Sequence, residues 1–214
     1  MEPLLTKSAT QMAQMISEKQ ISSVELVEAH LARIDEVNES LNAVVQIVPE
    51  RALDEARAAD SATAKDPSRG PFHGVPITLK DSLETEGIVS TAGTLGRKSY
   101  VPEEDATAAA RLRNSGAVLV GKTNTPEIMM AFQTDNLVYG RTNNPYDLSR
   151  TPGAAAAEKV PSSLPEGHRL GWGAILREAY GCQHTFAAFQ ELDPLPAESQ
   201  GMDTFHLGVV TSNR

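Results

Sequence analysis

Lys80 ends the apolar run Val75-Pro76-Ile77-Thr78-Leu79 and precedes Asp81-Ser82. A lysine at the end of a buried strand is open to desolvation, which disfavours the ammonium and leaves a neutral amine able to act as a base. The same residues also suit a surface lysine that snorkels at a strand end and pairs with Asp81. On residue type alone the second fate is the commoner, since few lysines are catalytic. A second pattern, Gly116-Ala117-Val118-Leu119-Val120-Gly121-Lys122-Thr123, satisfies the phosphate-loop expression G-x-x-x-x-G-K-[ST]. That loop must wrap phosphates with backbone N–H groups between a strand and a helix. Here the four middle residues are themselves strand-like, and Thr123-Asn124-Thr125-Pro126 interrupts the chain where the helix should begin. The pattern therefore reads as a strand ending at Gly121. His30 falls on an apolar helix face and reads as packed. His168, Cys182 and His184 lack the spacing of zinc ligands. Met129, Met130 and Phe132 suit a pocket wall or, more simply, core filling.

The elements that must position these residues are legible over most of the chain. Ser22-x-x-Glu25 is a capping-box signature, and Leu26, Val27, His30, Leu31, Ile34 and Val37 then follow at helical spacing. A shorter helix precedes it, with Met12, Met15 and Ile16 inward. A third helix spans about 49–62, and 65–70 is a loop. Val75–Leu79 reads as a buried strand, Asp105–Asn114 as a helix stopped by Ser115-Gly116, and Ala117–Val120 as a second buried strand. Strand, helix, strand predicts parallel pairing in an α/β fold. Thr125-Pro126-Glu127 reads as a helix start, and Asn143–Asp147 as a turn. Beyond Gly153 no element is assigned, because Pro161, Pro165, Gly167, Gly171, Gly173, Pro194 and Pro196 interrupt every candidate.

The chain has 214 residues and a net charge of −9. The length is that of one ordinary domain or two small ones, and the acidic balance argues against broad nucleic-acid binding. No apolar run is long enough for a membrane span, and the start Met1-Glu2-Pro3-Leu4-Leu5 lacks the regions of a signal peptide. A cytoplasmic location is expected on those grounds. The only tryptophan, Trp172, and the only cysteine, Cys182, lie after residue 153. A reducing compartment therefore rests best on the absence of cysteine from 1–153.

The stretch Gly70-Pro71-Phe72-His73-Gly74-Val75-Pro76-Ile77-Thr78-Leu79-Lys80-Asp81 resembles the amidase signature family, whose members hydrolyse amide C–N bonds. The similarity continues through Gly87, Thr91-Ala92-Gly93, Asp105-Ala106-Thr107, Arg111–Glu127 and Asn143–Asp147 to Arg150-Thr151-Pro152-Gly153. The resemblance implies an α/β fold with a mixed sheet flanked by helices, of which this chain carries the N-terminal portion and is incomplete. It also implies a Ser–cis-Ser–Lys triad in which Lys80 matches the lysine. In such a triad the neutral lysine takes a proton from the cis-serine, which takes one from the nucleophilic serine. That serine attacks the amide carbonyl, and water hydrolyses the acyl-enzyme. Backbone N–H groups hold the oxyanion. No metal or organic cofactor is implied, and the substrate is a small-molecule amide.

After Gly153 the chain departs from the family. The family continues with a run of the form G-S-S-G-G-E and then S-D-I-x-G-S-I-R. This chain has Ala154-Ala155-Ala156-Ala157-Glu158-Lys159, with Ala155 at the cis-serine position and Ala179 at the nucleophile position. Alanine codons are GCN. Restoring one G before the Ala154 codon permits Gly-Ser-Ser-Gly-Gly-Glu, and the shift carried onward permits the second motif, with serine at the nucleophile position. The expected organisation is therefore amidase sequence over 1–153 and a frame-shifted tail over 154–214 that forms no domain of its own. Such a chain is expected to be inactive, with open sheet edges, an uncovered apolar face and a tendency to aggregate. The alternatives are a non-catalytic fragment that binds or regulates, and nucleotide binding through Gly116–Thr123. Ser162 and Ser163 offer no replacement triad.

Overall fold

The computed structural model describes residues 2–5, 7–66 and 70–152. A short helix α1 (Glu2–Leu5) leads to α2 (Ala9–Ser17) and then to α3 (Ser23–Leu41). Ser8 and Ser22 each close a capping box, with Gln11 and Glu25 as the reciprocal partners. This satisfies N–H groups that the first turn of a helix leaves orphaned. Helix α3 ends at Asn42, in the left-handed conformation (φ 51°) that asparagine tolerates better than most residues. Met12, Ile16, Leu26, Val27, His30 and Ile34 are buried as their spacing predicts, whereas Met15, Leu31 and Val37 are half-buried.

Strand β1 (Val44–Ile47) follows, a short element between two strong helical patterns that the periodicity does not single out. Helix α4 (Pro49–Thr63) starts with proline in its first turn and turns Ala52, Ala56 and Ala59 inward. Strand β2 (Pro76–Lys80), helix α5 (Thr107–Asn114) and strand β3 (Val118–Thr123) form the expected unit, and β2 pairs parallel with β3. Strand β1 pairs antiparallel on the other side of β3, so the three-stranded sheet has the order β1-β3-β2 and is mixed.

The central strand is buried on both faces. Leu119 packs with Met12, Ile16, Leu26, Phe72, Ile77, Leu79 and Leu112. Its neighbours Val118 and Val120 pack with Val27, Ile34, Val44, Ala52 and Ala56 on the opposite side. This is the period-2 alternation of a strand between two layers. Each fully buried leucine or valine contributes about 1.5–3 kcal/mol.

Three expectations need correction. Strand β3 does not stop at Gly121 but continues through Lys122 and Thr123, because β1 pairs with Gly121, Lys122 and Thr123. The helix expected from Thr125-Pro126-Glu127 is only a single 3-10 turn at Glu127–Met129, broken by positive φ at Ile128 and Met129. Met130 and Phe132 do not fill the core; they are 86% and 88% exposed, and Met129 is also exposed. No helix among the described residues is long and apolar enough to cross a membrane.

Candidate active site

Lys80 is the last residue of β2 and stands opposite Thr123, the last residue of β3. The site therefore lies at the carboxyl ends of parallel strands, where open α/β sheets place their ligands. Lys80 is half-buried, and its carbonyl accepts from the Leu83 N–H at 2.9 Å. The next residue is held more tightly. The Asp81 N–H donates to the Thr123 carbonyl at 2.9 Å. The buried Asp81 carboxylate accepts through Oδ2 from the Thr91 N–H at 3.1 Å and from Thr91 Oγ1 at 2.5 Å. Its Oδ1 is buried with no hydrogen-bond partner among the described residues. Asp81 is thus tied to a turn ten residues on, a role beyond the strand-end pairing with Lys80 that the sequence suggests.

That turn is Thr91-Ala92-Gly93. Ala92 and Gly93 both have positive φ, and Thr91 Oγ1 accepts from the Gly93 N–H at 2.9 Å. A Cβ on Gly93 would meet the Thr125 carbonyl oxygen at 3.0 Å. The glycine lets the turn lie against the segment leaving β3, and the Ile128 N–H donates to the Ala92 carbonyl at 2.8 Å.

Buried polar side chains fix the next segment. Asn136 Nδ2 donates to Asn124 Oδ1 at 2.7 Å and to the Thr125 carbonyl at 2.8 Å. Asn124 Nδ2 donates to Thr142 Oγ1 at 3.0 Å, and Thr142 Oγ1 donates to the Asn42 carbonyl at 2.7 Å. These bonds dock 134–143 onto the ends of β3 and α3. They also bring in Tyr139, whose hydroxyl accepts from Gln46 Nε2 at 3.0 Å. Burial pushes the Tyr139 phenol up from its ordinary value, and the Asp81 charge acts in the same direction.

A large perturbation falls on a lysine other than Lys80. Lys122 is completely buried, and its pKa is pushed down to about 8, chiefly by burial, against the opposing charges of Asp81, Asp105 and Glu84. Its Nζ donates to the Leu83 carbonyl, to Thr85 Oγ1 at 3.0 Å and to Ser90 Oγ at 2.9 Å. The sequence singles out Lys122 only as part of a phosphate-loop expression. The informative signal is its position at the end of a wholly apolar buried run.

The phosphate-loop expression has a packing explanation throughout. A Cβ on Gly121 would meet the Gln46 carbonyl oxygen at 2.5 Å, so the glycine admits β1. Gly116 has φ of 92°, and a Cβ there would meet His73 Cα at 2.8 Å. The backbone between them carries strand pairing rather than a phosphate cradle. His30 is packed as expected, with Nδ1 2.7 Å from the Leu26 carbonyl oxygen, and burial lowers its pKa. The positions of Ala155, Ala179, Ser162, Ser163, His168, Cys182 and His184 lie outside the described residues.

A family model described as Amidase matches residues 25–157. The chain is 40% identical over 152 residues to a glutamyl-tRNA(Gln) amidotransferase subunit of Streptomyces avermitilis, covering 71% of this chain and 30% of that protein. It is 35% identical over 162 residues to fatty-acid amide hydrolase 2 of Homo sapiens, covering 72% of this chain and 30% of that protein. The solved structure of 6-aminohexanoate cyclic dimer hydrolase complexed with substrate superposes with a TM-score of 0.63 at 36% identity, covering 70% of this chain and 30% of that one. The chain thus spans about a third of the length of the curated relatives it matches.

Proposed function

The chain belongs to the amidase family, and from that premise we propose that it carries the lysine of an amide-hydrolysing Ser–cis-Ser–Lys triad without the two serines. Lys80 is the proton-accepting amine. The residues at the two serine positions are Ala155 and Ala179, so this chain forms no acyl-enzyme and turns over no amide by itself. Residues 154–214 are read as the shifted translation of sequence that encodes both serines. The run Ala154-Ala155-Ala156-Ala157-Glu158-Lys159, whose codons permit Gly-Ser-Ser-Gly-Gly-Glu one base out of register, supports that reading.

The observation that carries the proposal is the placement of Lys80 at the carboxyl end of β2, across from Thr123 and next to an anchored Asp81. A general base needs a fixed position within reach of its proton more than it needs an extreme pKa. The substrate class is a small linear amide, in keeping with the fatty-acid amide hydrolase among the relatives.

Two experiments test it. The DNA is read across the Gly153 codon, where a shifted open frame spelling the Gly-Ser-Ser-Gly-Gly-Glu run is expected. The 214-residue chain and a frame-restored chain are then assayed on aryl and fatty amides. Turnover is expected only from the restored chain, and Lys80→Ala abolishes it. Robust turnover by the unrestored chain that is lost in Lys80→Ala overturns the proposal.

A further inference from the structure

Lys122 forms no part of the proposed triad, yet it is the most deeply committed cation among the described residues. Its ammonium sits in a cage of three oxygens, the Leu83 carbonyl, Thr85 Oγ1 and Ser90 Oγ. All three belong to the loop that leaves β2 directly after Lys80. The cage is itself braced. Thr85 Oγ1 donates to the Leu83 carbonyl at 3.1 Å, and Ser90 Oγ donates to the Ile88 carbonyl at 3.1 Å. The Leu83 N–H returns to the Lys80 carbonyl. One residue, Leu83, therefore receives the Lys122 ammonium through its C=O and grips Lys80 through its N–H.

We propose that Lys122 is a positioning residue for Lys80, its ammonium serving as an internal cation that organises the 81–91 loop and so sets the orientation of Lys80. A buried ammonium has three donors and no acceptor, and three oxygens meet it here. Removing it leaves the Thr85 and Ser90 hydroxyl oxygens without their donor and the Leu83 carbonyl with Thr85 Oγ1 alone, which loosens the loop. The carboxylates of Asp81, Asp105 and Glu84 favour the charge and Arg97 opposes it. The second tie, from Asp81 to Thr91, closes the far end of the same loop. Asp81 thus joins the two ends of the loop, while Lys122 reaches from β3 into its interior. The proposal builds on the reading of Lys80 as the proton-accepting lysine.

The test uses the full 214-residue chain and needs no turnover. In Lys122→Met, which keeps the apolar stem, the amides of Leu83, Ile88 and Ser90 are expected to exchange about tenfold faster or more, while those of Asn42 and Val48 keep their protection. The Lys80 side-chain nitrogen resonance is expected to move as well. In Lys122→Ala, added n-propylammonium restores loop protection and n-propanol does not. In the unsubstituted chain, which needs no variant to fold, the Lys122 ammonium gives a slowly exchanging resonance distinct from exposed lysines. Loop amides unchanged in Lys122→Met, or a Lys122 resonance exchanging like an exposed lysine, overturn the proposal. An opened loop with an unmoved Lys80 resonance overturns its positioning part. Failure of the Lys80 reading shows elsewhere, as turnover in the frame-restored chain that survives Lys80→Ala.

Discussion

Lys122 and Leu79 are Cα partners across the parallel pairing of β2 with β3, one step before Lys80 and Thr123. Because strand residues alternate faces and parallel neighbours share them, the two lysines are turned to opposite sides of the sheet. Lys122 enters the interior, where the oxygens of Leu83, Thr85 and Ser90 meet it. Lys80 emerges at the strand end, half-buried. The sheet thereby separates the lysine that holds the loop from the lysine at the candidate site.

The burial of Lys122 makes stability depend on pH. Its pKa in the folded chain is about 8, below the ordinary 10.5. Between those values the unfolded chain binds more protons than the folded one, so stability rises as pH increases through that window. The slope is at most ~1.4 kcal/mol per pH unit. Urea midpoints taken from about pH 7.5 to about pH 10 are expected to climb in the unsubstituted chain and to stay level in Lys122→Met.

His30 predicts the opposite edge of the pH range. Burial holds its pKa below the ordinary 6.5, so the unfolded chain takes up the proton first as pH falls below that value. Stability is then lost with acidification, and His30→Gln is expected to flatten the part of the decline that begins just below neutrality. A decline of equal steepness in both chains, followed by circular dichroism, would show that carboxylates alone cause it.

Gly121→Ala tests the packing account of the phosphate-loop pattern. The added methyl would sit 2.5 Å from the Gln46 carbonyl oxygen, forcing β1 away from β3 at a cost of about 1–3 kcal/mol. Calorimetry is expected to show that lowered stability and, in the unsubstituted chain, no heat of ATP binding.

The exposed side chains of Met130, Phe132 and Leu137 predict self-association. Replacing Met130 and Phe132 by serine is expected to raise the monomeric fraction in light scattering while leaving the circular dichroism spectrum unchanged. Neither residue contributes to the two buried clusters.

Ser22→Ala removes the hydroxyl that accepts from the Glu25 N–H at 3.1 Å. The loss of this cap is expected to lower stability by about 1 kcal/mol, read from the denaturation midpoint.

Local chemistry alone specified much of this molecule. The capping box at Ser22 and Glu25, the buried face of α3, the proline start of α4 and the parallel strand–helix–strand unit all follow from interactions within a few residues or from the apolar period. The long ordered similarity from Gly70 to Asp81 and onward identified the family and singled out Lys80. Tertiary structure decided the rest, because each missed feature depends on a partner distant in sequence. Strand β1 forms by pairing with β3, and that pairing extends β3 beyond Gly121. The burial of Lys122 depends on oxygens from Leu83, Thr85 and Ser90 folding over it. The helix expected after Pro126 is lost to the ties that Asn136 and Ala92 make with Asn124, Thr125 and Ile128. Periodicity records which side of an element is apolar; it carries no record of which distant oxygen will meet a buried charge.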